Sequence, residues 1–306
     1  MTTTTPNPTT ATTVPSAAAA GVPDLYPTRG ATEVVTPRQD PVVWGPLTPE
    51  LESFERDGFL AVDRLLTPDE VATYRAELDR LVADPAVRAD ERSIIEPKSQ
   101  DVRSVFEVHR ISDVFARLVS DERVVGRARE ILGSDVYVHQ SRVNVKPGFG
   151  ASGFYWHSDF ETWHAEDGLP RMRTVSVSIA LTENRDTNGA LMIMPGSHRT
   201  FLGCAGETPK DNYKKSLQMQ DAGTPSDEAL TRFADAHGIR LFTGAAGSAT
   251  WFDCNAMHGS GDNITPCPRS NVFIVFNSVE NTAVEPFAAP VRRPDFIGAR
   301  DFTPVR

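Results

Sequence analysis

Apolar residues change their spacing once along this chain, near residue 135. Before that point they recur at three- and four-residue intervals, the period of a helix with one buried face. Thr48-Pro49-Glu50 starts a helix with proline in its first turn; it carries Leu51 and Phe54 and stops near Gly58. The segment FLAVDRLL, residues 59–66, predicts a short strand leading into a second helix. That helix opens on Thr67-Pro68-Asp69-Glu70, a capping box, and Val71, Tyr74, Leu78, Leu81 and Val82 form its apolar stripe. Two further helices are predicted at 112–118 and from Ser120-Asp121-Glu122 through Ile131, where Gly133 ends the pattern.

From Val136 the period is two. In VYVHQSRVNVK, residues Gln140, Arg142, Asn144 and Lys146 share one face of a strand. Strand-like runs follow at 154–159, 173–181, 191–194, 248–252 and 271–276, divided by turn residues such as Pro147-Gly148, Asn188-Gly189 and Pro195-Gly196-Ser197. Many short strands with such turns predict a mainly β fold, a sandwich or jelly roll, with flanking helices. The charged stretch 200–240, with one helix at 226–236, has the length of a lid. The expected organisation is one domain over 41–306, with a helical part at 47–133 and a jelly-roll core at 136–280. Residues 1–40 are Thr/Pro/Ala-rich in their first half and predict a disordered tail.

Composition narrows the function. The chain has 306 residues, 40% of them hydrophobic, enough to bury a core, and no apolar run approaches a membrane span. A net charge of −10, with no dense basic patch, argues against nucleic acid as a partner. Cys204, Cys254 and Cys267 are too scattered for a disulfide framework, and no secretory signal opens the chain, so a cytoplasmic location is expected. The cysteines read as packing residues, with Cys204 exposed if it lies in a lid.

The sharpest chemical motif is His157-Ser158-Asp159. On a strand these side chains converge on one face, and a second histidine would complete a two-His-one-carboxylate metal site with open positions. His258, in a turn-rich segment after the strand GSATWFDC, is the natural third ligand. Taken alone the motif is weak, since His164-Ala165-Glu166 repeats its form and a surface ion pair is the plain alternative. Arg269 heads the strand that follows His258 and can clamp a distant carboxylate in two-pronged fashion, with Lys146 as a second cation. The polar stripe on residues 140–146 faces either a pocket or solvent. Of the aromatic residues Phe154, Tyr155, Trp156, Phe160 and Trp163, the last follows the strand in a polar segment and could face a cationic ligand. His164 stands as either a supporting or an exposed residue, and His198 reads as a turn residue.

The 17 residues FYWHSDFETWHAEDGLP, 154–170, resemble the diagnostic segment of ectoine hydroxylases, in the phytanoyl-CoA-dioxygenase-like superfamily of iron(II)/2-oxoglutarate oxygenases. The likeness extends through ERDGFLAVDRLLTPDEV, HQSRVNVKPGFG, LTEN with NGALMIMPGSH, and FDCNAMHGSGDN, but not into the tail. The resemblance implies a double-stranded β-helix (jelly-roll, cupin-like) core and a homodimer. It implies iron held by His157, Asp159 and His258, with 2-oxoglutarate contacted by Lys146, Asn144, Ser176 and Arg269. Gln140, Thr162, Trp163 and Phe273 would line the ectoine pocket, and Arg293 would meet the substrate carboxylate unless its neighbour Arg292 does so. The implied reaction consumes dioxygen and 2-oxoglutarate, releases succinate and carbon dioxide, and converts ectoine to 5-hydroxyectoine, a compatible solute of osmotic and thermal stress. Three other readings stay open on the residues: the same chemistry on another small zwitterion or amino acid, a zinc hydrolase, and a non-catalytic solute-binding module.

Overall fold

Ten consecutive residues of the segment Arg269–Ser278 are buried, which only a strand covered on both faces tolerates. In the computed structural model, which describes residues 25–96, 100–216 and 222–306, this segment lies at the centre of the larger of two facing sheets. The strands in chain order are β1 (Val34–Pro37), β2 (Phe59–Val62), β3 (Ser93–Ile95), β4 (Val102–Phe106), β5 (Val136–Lys146), β6 (Phe154–His157), β7 (Thr174–Ala180), β8 (Leu191–Ile193), β9 (Thr200–Gly203), β10 (Arg240–Phe242), β11 (Ala249–Asp253), β12 (His258–Ser260) and β13 (Arg269–Ser278). The major sheet has the order β2-β11-β7-β13-β5-β4-β3 and the minor one β10-β8-β12-β6. All their pairings are antiparallel. This is the expected double-stranded β-helix with helices outside it.

The helices cover one face of the major sheet. Val71, Tyr74, Leu78 and Leu81 of Pro68–Ala83 join Val124, Ala128 and Ile131 of Glu122–Leu132 against Val175, Val177, Val272 and Ile274. The capping box at Thr67 forms as the sequence predicts. The opposite face meets the minor sheet through Phe59, Leu191, Ile193, Phe242, Phe252 and Phe273.

One irregularity in β5 decides which of its residues reach the space between the sheets. Val275 of β13 stands opposite Gln140 and Phe276 opposite Val138, so His139 is an extra residue, a β-bulge. Before the bulge, Val136 and Val138 pack with the helices. After it the alternation is inverted, and the polar side chains from Gln140 to Lys146 turn inward. The carbonyl of His139, displaced from the ladder, accepts the N–H of Ala299 at 3.0 Å.

Several expectations are corrected. The strand expected over 154–159 ends at His157, and Asp159 opens a short helix, Asp159–Thr162, that continues as a π-helical turn, Trp163–Asp167. Aspartate is a poor strand residue and a good first-turn residue, which explains the early stop. The strand expected over 59–66 ends at Val62, since the N–H groups of Leu65 and Leu66 turn to the carbonyl of Gly247. The disorder expected for 1–40 does not hold from Leu25 onward: β1 pairs with β9, and Tyr26 is 1% exposed. Residues 1–24 lie outside the described residues. The stretch 200–240 begins in that same pairing, and Cys204 is buried. Among the described residues no helix is long and apolar enough to cross a membrane.

Candidate metal centre and its two-lobed pocket

His157 and His258 are register partners across β6 and β12, so the two imidazoles lie side by side, ring centres 4.3 Å apart. Asp159 reaches the same point from the first helical turn after β6, not from the strand face. Its Oδ1 is 3.7 Å from His157 Nε2 and its Oδ2 3.9 Å from His258 Nε2. One donor atom from each residue lies within 4.8 Å of the others. The Nδ1–H of His157 donates to the Tyr155 carbonyl at 2.6 Å, and that of His258 to the Ala256 carbonyl at 3.0 Å. A carbonyl can only accept, so each Nε2 keeps its lone pair and turns it toward the shared centre. Burial, with His157 alongside, pushes His258 down to about 4, so this imidazole is neutral at physiological pH. Burial opposes charge on Asp159, yet His258 and His157 hold its carboxyl below the usual range. Two imidazoles that each turn Nε2 to a shared centre, with one carboxylate, are the donor set of a divalent iron site, and the residues present fit it.

Two cavities meet at this centre and share Arg142, Phe154 and His157 as walls. The first, of about 470 Å³, is floored by β5 and β13: Lys146 opposite Arg269, Arg142 opposite Phe273, and Asn144 between them. Lys146 is 3% and Arg269 5% exposed, and among the described residues no carboxylate lines this lobe. Lys146 donates to Ser260 Oγ and the Gly261 carbonyl, and Arg269 to Asn271 Oδ1 and the Gly189 carbonyl. Burial, then Arg269 and Arg103, push Lys146 down to about 6, and burial pushes Arg269 down to about 10. Gly189 has φ +76°, and a Cβ there would sit 2.5 Å from the Gly261 carbonyl oxygen and 3.1 Å from the Lys146 ammonium, so glycine is required beside that cation.

The second cavity, of about 640 Å³, is lined among others by Gln140, Thr162, Trp163, Glu166 and Arg293. Here Arg293 is compensated. Arg293 donates through Nε and Nη2 to Asp167 at 2.7 and 2.5 Å, and His139 Nε2–H donates to the same carboxylate at 3.1 Å. Burial opposes the charge of Arg293, but Asp167 outweighs it and holds the proton more firmly than usual. Trp163 packs edge-on against His139, with ring centres 5.4 Å apart.

Most residues singled out from the sequence therefore line one lobe or the other. Ser176 does not: its Oγ is directed at Asp159 Oδ2, at 3.4 Å, and it lines neither lobe. Arg293 lines the larger lobe, while Arg292 is exposed and paired with Asp295. His164 is buried and stacked on Phe287 at 4.0 Å, and His198 sits in a short helical turn, buried, against the Glu55 carbonyl. The sequence reading assigned no role to Arg142, whose guanidinium lies 4.9 Å from the Phe273 ring and donates to Gln140 Oε1. Its place on the polar face of β5 was the available signal. It also missed Asp167, His139 and Arg29, whose partners are distant in sequence.

A model of the phytanoyl-CoA dioxygenase (PhyH) family matches residues 54–271. An ectoine dioxygenase of Streptomyces avermitilis is 82% identical over 292 residues, 93% of this chain and 99% of the relative. The crystal structure of EctD from S. alaskensis with 2-oxoglutarate and 5-hydroxyectoine superposes with a TM-score of 0.84 at 44% identity, over 92% of this chain and 97% of that one. The same protein with bound Fe gives 0.83 at 44% identity, over 93% and 98%.

Proposed function

The chain belongs to the phytanoyl-CoA dioxygenase family, and from that premise we propose that it hydroxylates ectoine to 5-hydroxyectoine with iron(II), dioxygen and 2-oxoglutarate. The observation that carries this reading is a His157–Asp159–His258 donor set beside two buried cations, Lys146 and Arg269, that form no ion pair with a carboxylate of the described residues. Such cations are costly without an anion, and a dicarboxylate that reaches the metal with one end supplies it with the other.

In this reading His157, Asp159 and His258 hold the iron. Lys146 and Arg269 take the far carboxylate of 2-oxoglutarate, and Asn144, fixed by a 2.8 Å hydrogen bond from Ser104, flanks it. Ser176 supports Asp159. Iron with bound 2-oxoglutarate supplies the activation of dioxygen, one oxygen atom passing to the substrate and the other to succinate as carbon dioxide leaves. The protein's part is orientation. Arg293, locked by Asp167, presents its remaining N–H groups to the substrate carboxylate, and Trp163, Thr162 and Gln140 enclose the ring, while Phe273, expected from the sequence in the same pocket, lines the smaller lobe instead. Trp163 is itself held by His139, so the aromatic wall and the carboxylate anchor share one buried support. The product, a compatible solute, supports a role in osmotic and thermal stress. Acidic composition and few cysteines support a cytoplasmic setting, and the family resemblance carries a homodimer as its further expectation.

The test is aerobic incubation of the protein with iron(II), 2-oxoglutarate and ectoine, read by mass spectrometry. Ectoine gains one oxygen atom in step with succinate, and both products vanish with His157→Ala. Succinate without hydroxylated ectoine would mean another substrate; neither product from folded, iron-loaded protein would overturn the oxygenase assignment.

A further inference from the structure

We propose that Glu166 recognises the cationic half of the substrate, and that Arg29, from the segment before β1, sets the charge it presents. This deepens the ectoine reading and rests on it. Arg29 is buried with two carboxylates around it. It grips Glu161 with both prongs, Nε to Oε1 at 2.8 Å and Nη2 to Oε2 at 2.7 Å. Glu166 receives a single contact from it, Nη1 to Oε1 at 2.7 Å, and Asn212 Nδ2 donates to the same oxygen at 2.9 Å. All three side chains are 2% exposed or less.

One guanidinium against two carboxylates leaves one negative charge, and the geometry says where it resides. Both oxygens of Glu161 are taken by Arg29. Glu166 lines the larger lobe, and its Oε2 has no hydrogen-bond partner among the described residues. Other charges in that lobe close on themselves or on the metal: Arg293 is matched by Asp167, and Asp159 is a metal ligand. Arg142 is the remaining cation, with Gln140 rather than a carboxylate as its partner. Among the described residues the Glu161–Arg29–Glu166 cluster thus keeps one net negative charge at the lobe, and Arg142 one positive charge without a carboxylate partner. Ectoine, with a delocalised cationic ring and a carboxylate, is matched in both signs by such a lobe, whereas a simple anion or cation is matched in one. A carboxylate oxygen is also the acceptor that the ring N–H groups require, a task the face of Trp163 cannot perform.

Glu166→Gln removes the charge but keeps an oxygen that Arg29 and Asn212 can still contact, so it separates recognition from scaffolding. Calorimetric titration of ectoine into oxygen-free protein loaded with manganese(II) and 2-oxoglutarate gives the Kd directly. We expect Glu166→Gln to weaken ectoine at least tenfold, with the manganese affinity confirming an intact centre. Glu161→Gln leaves Arg29 to neutralise Glu166, and should weaken ectoine by a smaller factor although residue 161 lines neither lobe. Affinities within twofold of wild type in both variants would overturn the proposal. If Glu166→Gln fails to fold, Glu161→Gln decides alone by the same criterion. Wild-type protein that binds no ectoine would instead overturn the substrate reading, and this inference with it.

Discussion

Lys146 and Arg269 face each other across β5 and β13 with no carboxylate between them, whereas beyond His157 Arg293 is clamped by Asp167 and Arg29 by two glutamates. Both regions are buried and polar and share β5 as a wall, yet they treat charge in opposite ways. A buried cation without a partner costs several kcal/mol, so Lys146 gives up its proton easily and Arg269 stays without an anion until a ligand enters. The larger lobe holds Arg293 and Arg29 in ion pairs and leaves Arg142 on Gln140, beside one aromatic wall and a few oriented donors. A cosubstrate common to a superfamily needs a strong and simple anchor. A particular small zwitterion needs a shaped and nearly neutral box.

The largest expected effect lies in the uncompensated lobe. Arg269→Gln should raise the KM for 2-oxoglutarate by roughly a hundredfold or more, the scale of losing a buried charge-assisted pair, as measured by succinate release. Lys146→Met should weaken 2-oxoglutarate by about tenfold or more and make the ligand-free protein more stable in thermal melts. A loss of stability in that variant would contradict the claim that the cation is uncompensated.

The pH dependence sharpens the same point. Lys146 is held at about 6 in the folded protein, against about 10.4 for an unfolded lysine. Between those values the unfolded chain binds more protons, so this group makes the ligand-free protein more stable as pH rises from 6 and less stable as it falls toward 6. An entering dicarboxylate restores the ammonium. Binding at pH 8 should therefore take up close to one proton, visible as a dependence of the calorimetric enthalpy on buffer ionisation, and Lys146→Met should abolish it.

Smaller effects belong to the compensated lobe. Asp167→Asn leaves Arg293 and His139 without their shared anion and should raise the KM for ectoine by about tenfold with little change for 2-oxoglutarate. Arg292→Gln should change neither constant, because its ion pair with Asp295 lies at the surface.

The contrast between the lobes was only half legible in the sequence. Alternation along β5 brought Gln140, Asn144 and Lys146 to one face, and position on the next long strand brought in Arg269; such periodicity is a local property. The bulge at His139, which gives that face its direction, depends on register with β13, and no local pattern reports it. His157 and Asp159 converge as expected, but by a strand end and a helix start, a change of element within two residues. Disorder was expected for the first 40 residues because low complexity fills their first half, yet β1, Tyr26 and Arg29 lie beyond it. Arg29 meets Glu161 and Glu166 across more than 130 positions, a pairing that only the folded topology makes.

The division of labour is tested most directly by measuring both Michaelis constants on two variants, Arg269→Gln and Arg293→Gln. The account predicts a crossed result: the first raises the KM for 2-oxoglutarate and spares that for ectoine, and the second does the reverse. Equal loss of both in either variant, or the opposite assignment, would contradict it.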